Sequence, residues 1–353
     1  MRRRSFLAAS GAAAVGASLA GRPAFSQQAK IKGAGDVLMR RAFEAWNEAG
    51  GAASGVRMEY DAVGSAEGLA AVASRQVDFG ATVTPLSPAR LKERGLLQFP
   101  SMICPIVFAA NLPGVADHQL KLSGEAIADL YLGKITKWND PKLAALNPGL
   151  KLPNLAVTPV HRADSSGTTL LTTTFLSRTS DAWRTGPRAG SVVKWPAVGK
   201  AGNLNAGVAE AVKTTQGAIG YVTEAGEVAK GLAVTQLRNQ SGKFVKPDGD
   251  TFFAAVNATD WSAQGFGVDM IDLEGDDVWP LLGPSFTLIP VSPAADKVES
   301  VRNTMKFFDW ALTKGEEVLR GTGNAAMPEE LVDFIHEDWA HVKGPDGKPI
   351  WTA

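Results

Sequence analysis

The run Val160-His161-Arg162-Ala163-Asp164-Ser165-Ser166-Gly167-Thr168-Thr169 passes from an apolar strand end, through small polar residues, into a helix start. Within a few residues it sets down a fixed cation, two or three hydroxyl donors and a glycine-opened helix N-terminus, the groups a dehydrated oxyanion needs. The guanidinium of Arg162 can grip two oxygens at once, and Asp164, two residues on, can hold it in position. The same residues also describe an exposed polar turn with an ion pair, since such donors converge on an anion only where the backbone turns correctly.

Working outward, the chain repeats this strand-to-helix alternation. Short apolar runs bounded by Gly or Pro at 102–110, 155–159, 218–222 and 285–291 read as buried strands. Segments 38–49, 66–74, 124–132, 168–176, 204–212 and 298–314 carry apolar residues three or four apart and read as helices. No internal repeat or low-complexity linker interrupts them, and the Gly-, Lys-, Asp- and Ser-rich stretch 239–250 reads as an exposed hairpin or loop. Single cores stop growing near roughly 250 to 300 residues, so this α/β chain is expected to divide into two lobes.

The N-terminus indicates the compartment. Arg2-Arg3-Arg4-Ser5-Phe6-Leu7 precedes a small-residue apolar run, 8–20, too short for a bilayer span, and Ala24-Phe25-Ser26 offers a cleavage site. Residues 1–26 therefore read as a signal peptide of the twin-arginine type, with the mature chain starting near Gln27 and exported to the periplasm. The precursor carries 36 basic and 36 acidic side chains. Loss of Arg2, Arg3, Arg4 and Arg22 leaves a net charge of about minus four. That balance excludes a polyanion partner such as nucleic acid, which calls for a clustered basic face, so any anion must be held by local donors. Cys104 is the only cysteine, and its neighbours Met102, Ile103, Ile106 and Val107 place it in a buried strand.

A second strand-to-helix junction, Val63-Gly64-Ser65-Ala66-Glu67-Gly68, has Ser65 as a candidate N-cap and glycines that allow backbone to approach a ligand. A helix start favours an anion through its unpaired N–H groups, although most Ser caps serve only the helix.

The Arg162-Ala163-Asp164-x-Ser166-Gly167-Thr168 run resembles the signature of the periplasmic phosphate-binding proteins of ABC transporters. The resemblance covers nearly the whole mature chain. It is carried also by Gly33-Ala34-Gly35, Val77-Asp78-Phe79-Gly80-Ala81, Pro85-Leu86-Ser87, Tyr131-Leu132-Gly133-Lys134-Ile135, Lys137-Trp138-Asn139-Asp140, Lys194-Trp195-Pro196, Gly217-Ala218-Ile219-Gly220-Tyr221-Val222 and Lys306-Phe307-Phe308-Asp309-Trp310. It implies a two-lobed type II periplasmic-binding fold, with two crossover strands and a cleft closing on phosphate. Residues 27–111 and 286–353 would form lobe 1, and 112–285 lobe 2. By the same resemblance Arg162, Ser166, Gly167 and Thr168 supply donors from the second lobe, Ser65 supplies them from the first, and Asp164 orients Arg162. The implied partners are inorganic phosphate and the permease subunits of an ABC importer. The protein is expected to act as a monomer, with no cofactor and no metal.

Two departures fall in the first lobe. Val37 and Leu38 stand where the family has Thr-Phe, which removes a hydroxyl donor. Val83 stands where it has an Asp that accepts a hydrogen bond from protonated phosphate. A buried carboxylate there repels a fully ionised anion, so its loss leaves open a preference for sulfate or another tetrahedral oxyanion, or a sensor or adaptor without ligand. Asp36, one position before the lost Thr, is the candidate substitute acceptor.

An exported hydrolase is the competing class. Neither Ser65 nor Ser166 sits in a Gly-x-Ser-x-Gly elbow, and His118, His161, His336 and His341 show no metal-binding spacing, so no catalytic residue is assigned. Trp138, Trp195, Trp279 and Trp310 are expected to pack the lobes and hinge, because a tetrahedral anion offers no stacking face. Arg40 and Arg41 are expected on an exposed helical face.

Overall fold

The computed structural model describes residues 28–223 and 230–352; the export segment expected at 1–26 lies outside them. Strand β1 (Ala29–Gly35) leads through a 3-10 turn (Val37–Met39) into helix α1 (Arg40–Ser54). That helix buries Ala42, Phe43, Trp46 and Gly50, a stripe at helical spacing, and stops at Gly55, whose φ of 71° is left-handed. Then come β2 (Val56–Ala62), α2 (Ser65–Ala73), β3 (Phe79–Thr82), α3 (Pro88–Arg94) and the long β4 (Leu96–Ala110), every residue of which is buried.

The middle of the chain supplies β5 (Lys121–Leu122), α4 (Gly124–Tyr131), α5 (Pro141–Leu146), β6 (Thr158–Arg162), α6 (Gly167–Thr179) and α7 (Asp181–Thr185). It continues with β7 (Lys200–Gly202), α8 (Leu204–Lys213), β8 (Ala218–Thr223), β9 (Ala233–Val234), β10 (Gln236–Arg238), β11 (Phe244–Val245) and α9 (Gly249–Asn257). The chain returns along β12 (Leu282–Pro290) and ends in α10 (Val298–Lys314), α11 (Glu316–Arg320) and α12 (Glu329–Trp339).

The strands join in the order β2-β1-β3-β12-β4-β8-β6-β7, with β9 also on β4, beside a small sheet β11-β10-β5. β4 belongs to both halves. Leu96 to Pro105 pair with β12 and Ile106 to Ala110 pair with β8. The handover falls at Pro105, which has no N–H to give a ladder. Trp279, fully buried, fixes this crossing by donating from Nε1 to the carbonyls of Ile106 (3.1 Å) and Leu281 (3.0 Å). The two halves are the two lobes, each a sheet flanked by helices.

Phe79, Phe99 and Phe308 meet edge-to-face in the first lobe, with centroids 5.3 to 5.5 Å apart, while Phe108, Tyr131 and Tyr221 cluster in the second. One continuous apolar core runs through both. The stretch 239–250, expected as an exposed hairpin or loop, holds the turn between β10 and β11 and the strand β11, and runs on into the first residues of α9. The strand expected at 155–159 is displaced: β6 runs from Thr158 to Arg162, so Arg162 is itself the last strand residue. Among the described residues no helix is long and apolar enough to cross a membrane.

Candidate functional site

Alternation along β6 puts Val160 and Arg162 on one face, both buried, and His161 on the other, where its ring stacks on Trp195 at 4.9 Å. An arginine can lie inside because almost every donor it carries is engaged. Nε donates to Asp164 Oδ1 (2.8 Å), Nη2 donates to Asp164 Oδ2, and Nη1 donates to Asn205 Oδ1 (3.2 Å) and to Thr168 Oγ1 (3.4 Å). A guanidinium has five N–H groups, so one on Nη2 is left outside these bonds. Burial pushes the Asp164 carboxyl up, but the hydrogen bonds from Arg162 and from Leu204 N–H (3.1 Å) outweigh it and hold the group below the ordinary value.

The start of α6 lies beside this pair. Ser166 is extended and caps the helix by accepting from Thr169 N–H at 3.2 Å, leaving the first amides, at Gly167 and Thr168, without intrahelical partners. Tyr221 ties strand to helix: its hydroxyl accepts from Arg162 N–H (3.1 Å) and bonds Thr169 Oγ1 (2.8 Å). Burial pushes that phenol up to about 12, against the opposing pull of Arg162 N–H, so it stays neutral. Arg162 is buried, so the alternative of an exposed polar turn does not hold for it.

In the first lobe the cap of α2 lies one residue earlier than expected, so the helix begins at Ser65 itself. Gly64, with φ of 107°, is the N-cap and Ser65 the first helical residue. The Ser65 hydroxyl does not cap α2; it donates to Asp36 Oδ2 at 2.9 Å. Packing alone calls for glycine at position 68, where an added Cβ would come within 2.4 Å of the Gly35 Cα. Asp36 is buried, caps the 3-10 turn by accepting from Leu38 N–H (2.9 Å), and donates its own N–H to Ala81 O (3.1 Å).

The two lobes touch at these motifs. Val83, buried just after β3, packs on the opening glycine of α6, and a Cβ at Gly167 would lie 2.6 Å from Val83 Cγ2. Val37 and Leu38 share with Arg162 a cavity of about 210 Å³, lined also by Leu204, Asn205 and Thr223, with Arg40 and Arg41 exposed beside it. Ser65, Asp36 and Val83 do not line that cavity; Val83 packs against the start of α6 instead.

Sequence reasoning missed Asn205 and Leu204. Asn205 braces Arg162 and is itself held by donating Nδ2 to Thr223 Oγ1 at 3.1 Å. Leu204 takes a left-handed φ of 58°, a strained choice for a branched residue, which aims its amide at Asp164. The only available signal was the Asn203-Leu204-Asn205 helix start, which looks like any other.

A model for the PBP superfamily domain matches residues 12–295. The phosphate-binding protein PstS of Pasteurella multocida is 39% identical over 328 residues, 92% of this chain and 94% of that one. The phosphate-binding protein PstS of Haemophilus influenzae is 37% identical over 316 residues, 89% and 94% of the two. A high-affinity periplasmic phosphate-binding protein (PfluDING) solved with phosphate matches with a TM-score of 0.68 at 19% identity, covering 87% of this chain and 93% of that one, a likeness of fold alone.

Proposed function

Because the chain belongs to the PstS family of phosphate-binding proteins, within the PBP superfamily, we propose that its cleft captures inorganic phosphate for an ABC importer. The observation that carries this reading is the buried Arg162, braced by Asp164 and Asn205 beside the open amides of α6 and across the cleft from Val37 and Leu38. A dianion placed there meets a charge-assisted donor and a helix N-terminus, both of which favour negative charge. Ser166, Gly167 and Thr168 supply the second-lobe donors and the amides opening α2 those of the first. The expected division into lobe 1 (27–111 and 286–353) and lobe 2 (112–285) is kept except along the crossing strands, where 106–110 of β4 pair within the second-lobe sheet and 282–285 of β12 within the first.

The family is one of solute-binding proteins and not of enzymes, and nothing in the comparisons favours sulfate or a ligand-free adaptor. Export to the periplasm through the twin-arginine signal at 1–26, action as a monomer and delivery to permease subunits complete the proposal. Isothermal titration of the phosphate-stripped protein tests it. Saturable one-to-one binding is expected, with a thermal shift equivalent to about 2.7 kcal/mol at phosphate a hundredfold above Kd. No heat and no shift at millimolar phosphate would overturn it.

A further inference from the structure

The cavity that reaches Arg162 is larger and more basic than a single orthophosphate requires. At about 210 Å³ it has room for about seven waters at roughly 30 Å³ each, against the four oxygens of orthophosphate and the seven of diphosphate. Its positive charge comes from both lobes. Arg162 enters from β6 with one N–H of Nη2 outside its bonds to Asp164, Asn205 and Thr168, and Arg40 and Arg41 enter from the first turn of α1. Asp164 already offsets Arg162, so a dianion arriving there needs further cations in the same cavity. Val37 and Leu38 line it without a side-chain donor, which leaves the first lobe's charge to Arg40 and Arg41. Among the described residues Glu44 is the one acidic side chain lining the cavity, and it meets Arg40 only loosely, at 3.9 Å from Nε. Arg41 makes no ion pair among the described residues.

We propose that this cavity is a site for a condensed inorganic phosphate of the size of diphosphate, with one phosphoryl group at Arg162 and the next held by Arg40 and Arg41. The proposal rests on the phosphate reading above and extends it to a longer anion. A guanidinium pairs two oxygens of a phosphoryl group through its planar fork, and the two α1 arginines, exposed and on long stems, are free to swing onto one. Diphosphate carries more negative charge than hydrogen phosphate and spreads it over two groups, so it pairs at once with cations from each lobe and draws α1 toward β6. Orthophosphate, with a single phosphorus, engages Arg162 and leaves the α1 arginines to solvent.

Calorimetric titration of the phosphate-stripped full chain with orthophosphate, diphosphate and phenyl phosphate, without divalent cations and at about 0.15 M salt, tests this. At that ionic strength exposed charges more than about 8 Å apart are largely screened, so a lost arginine reports on contact and not on the general field. The wild type is expected to bind diphosphate one-to-one. Arg40→Gln and Arg41→Gln, which keep most of the stem and lose the charge, should each weaken diphosphate by about tenfold or more. Orthophosphate affinity should change by less than about threefold in both, which also shows that the variants are folded. Arg41→Lys, which keeps the charge without the fork, should recover part of the loss. A wild type that takes orthophosphate but no diphosphate overturns the proposal, as does diphosphate bound equally by the wild type and the double Gln variant. Phenyl phosphate bound as tightly as diphosphate would show that the cavity takes bulk and not charge, and overturns it too. A wild type that binds none of these anions instead removes the reading beneath it.

Discussion

Arg162 shows how a buried cation is made useful as well as tolerable. A lone guanidinium with 3% of its side chain exposed would be too costly, so Asp164 pairs with it and Asn205 and Thr168 take further N–H groups. Because the native Asp164 carboxyl is held below its ordinary value of 3.8, the stability this pairing contributes is present in full above that value. It is lost only as pH falls through the lower native value. Chemical denaturation of wild type and Asp164→Asn across acidic pH should therefore show a stability gap of about 1 to 3 kcal/mol that persists down to the ordinary carboxylate range. The gap should close only below it, and one that closes above that range would show that Asp164 does not carry the pairing. Ser65 teaches the converse lesson, that a hydroxyl next to a helix start need not cap it when a buried carboxylate is closer.

At the scale of elements, the lobes also touch where the first turn of α6 meets Val83, the residue after β3. The smallest side chain is required at position 167 because Val83, stiff at its branched Cβ, fills the space a methyl would need. Gly167→Ala should hold the lobes apart and weaken phosphate binding by about tenfold or more, as overpacking of a tight contact costs roughly 1 to 3 kcal/mol. Val83→Ala in the same chain should recover most of that loss in a titration. Equal affinities for Gly167→Ala and the double variant would show that the contact does not control closure.

For the molecule as a whole, β4 and the return into β12 decide whether two lobes behave as one protein. The core is continuous across the crossing, and Trp279 satisfies two buried carbonyls there. Trp279→Phe keeps an aromatic ring but removes the Nε1–H donor shared by the Ile106 and Leu281 carbonyls, of which Leu281 still accepts from Ile106 N–H at 3.0 Å. A loss of about 1 to 3 kcal/mol is expected in urea unfolding, with a single transition retained because the core is shared. Separation into two transitions in the wild type would contradict a shared core.

The sequence by itself determined what depends on near neighbours and on period. Helices 38–49, 66–74 and 298–314 could be read from apolar spacing, the strand around Cys104 from its unbroken apolar run, and the Arg162–Asp164 pair from a separation of two residues. The family motifs extended that reading to the two-lobed fold. What only the tertiary structure decided are contacts between residues far apart in the chain: Asn205 on Arg162, Leu204 on Asp164, Val83 on Gly167, and Ser65 turned from its helix toward Asp36. The physical reason is that a hydrogen bond or a steric contact is set by distance in space, and no local pattern encodes which distant atoms the folded sheet brings within 3 Å.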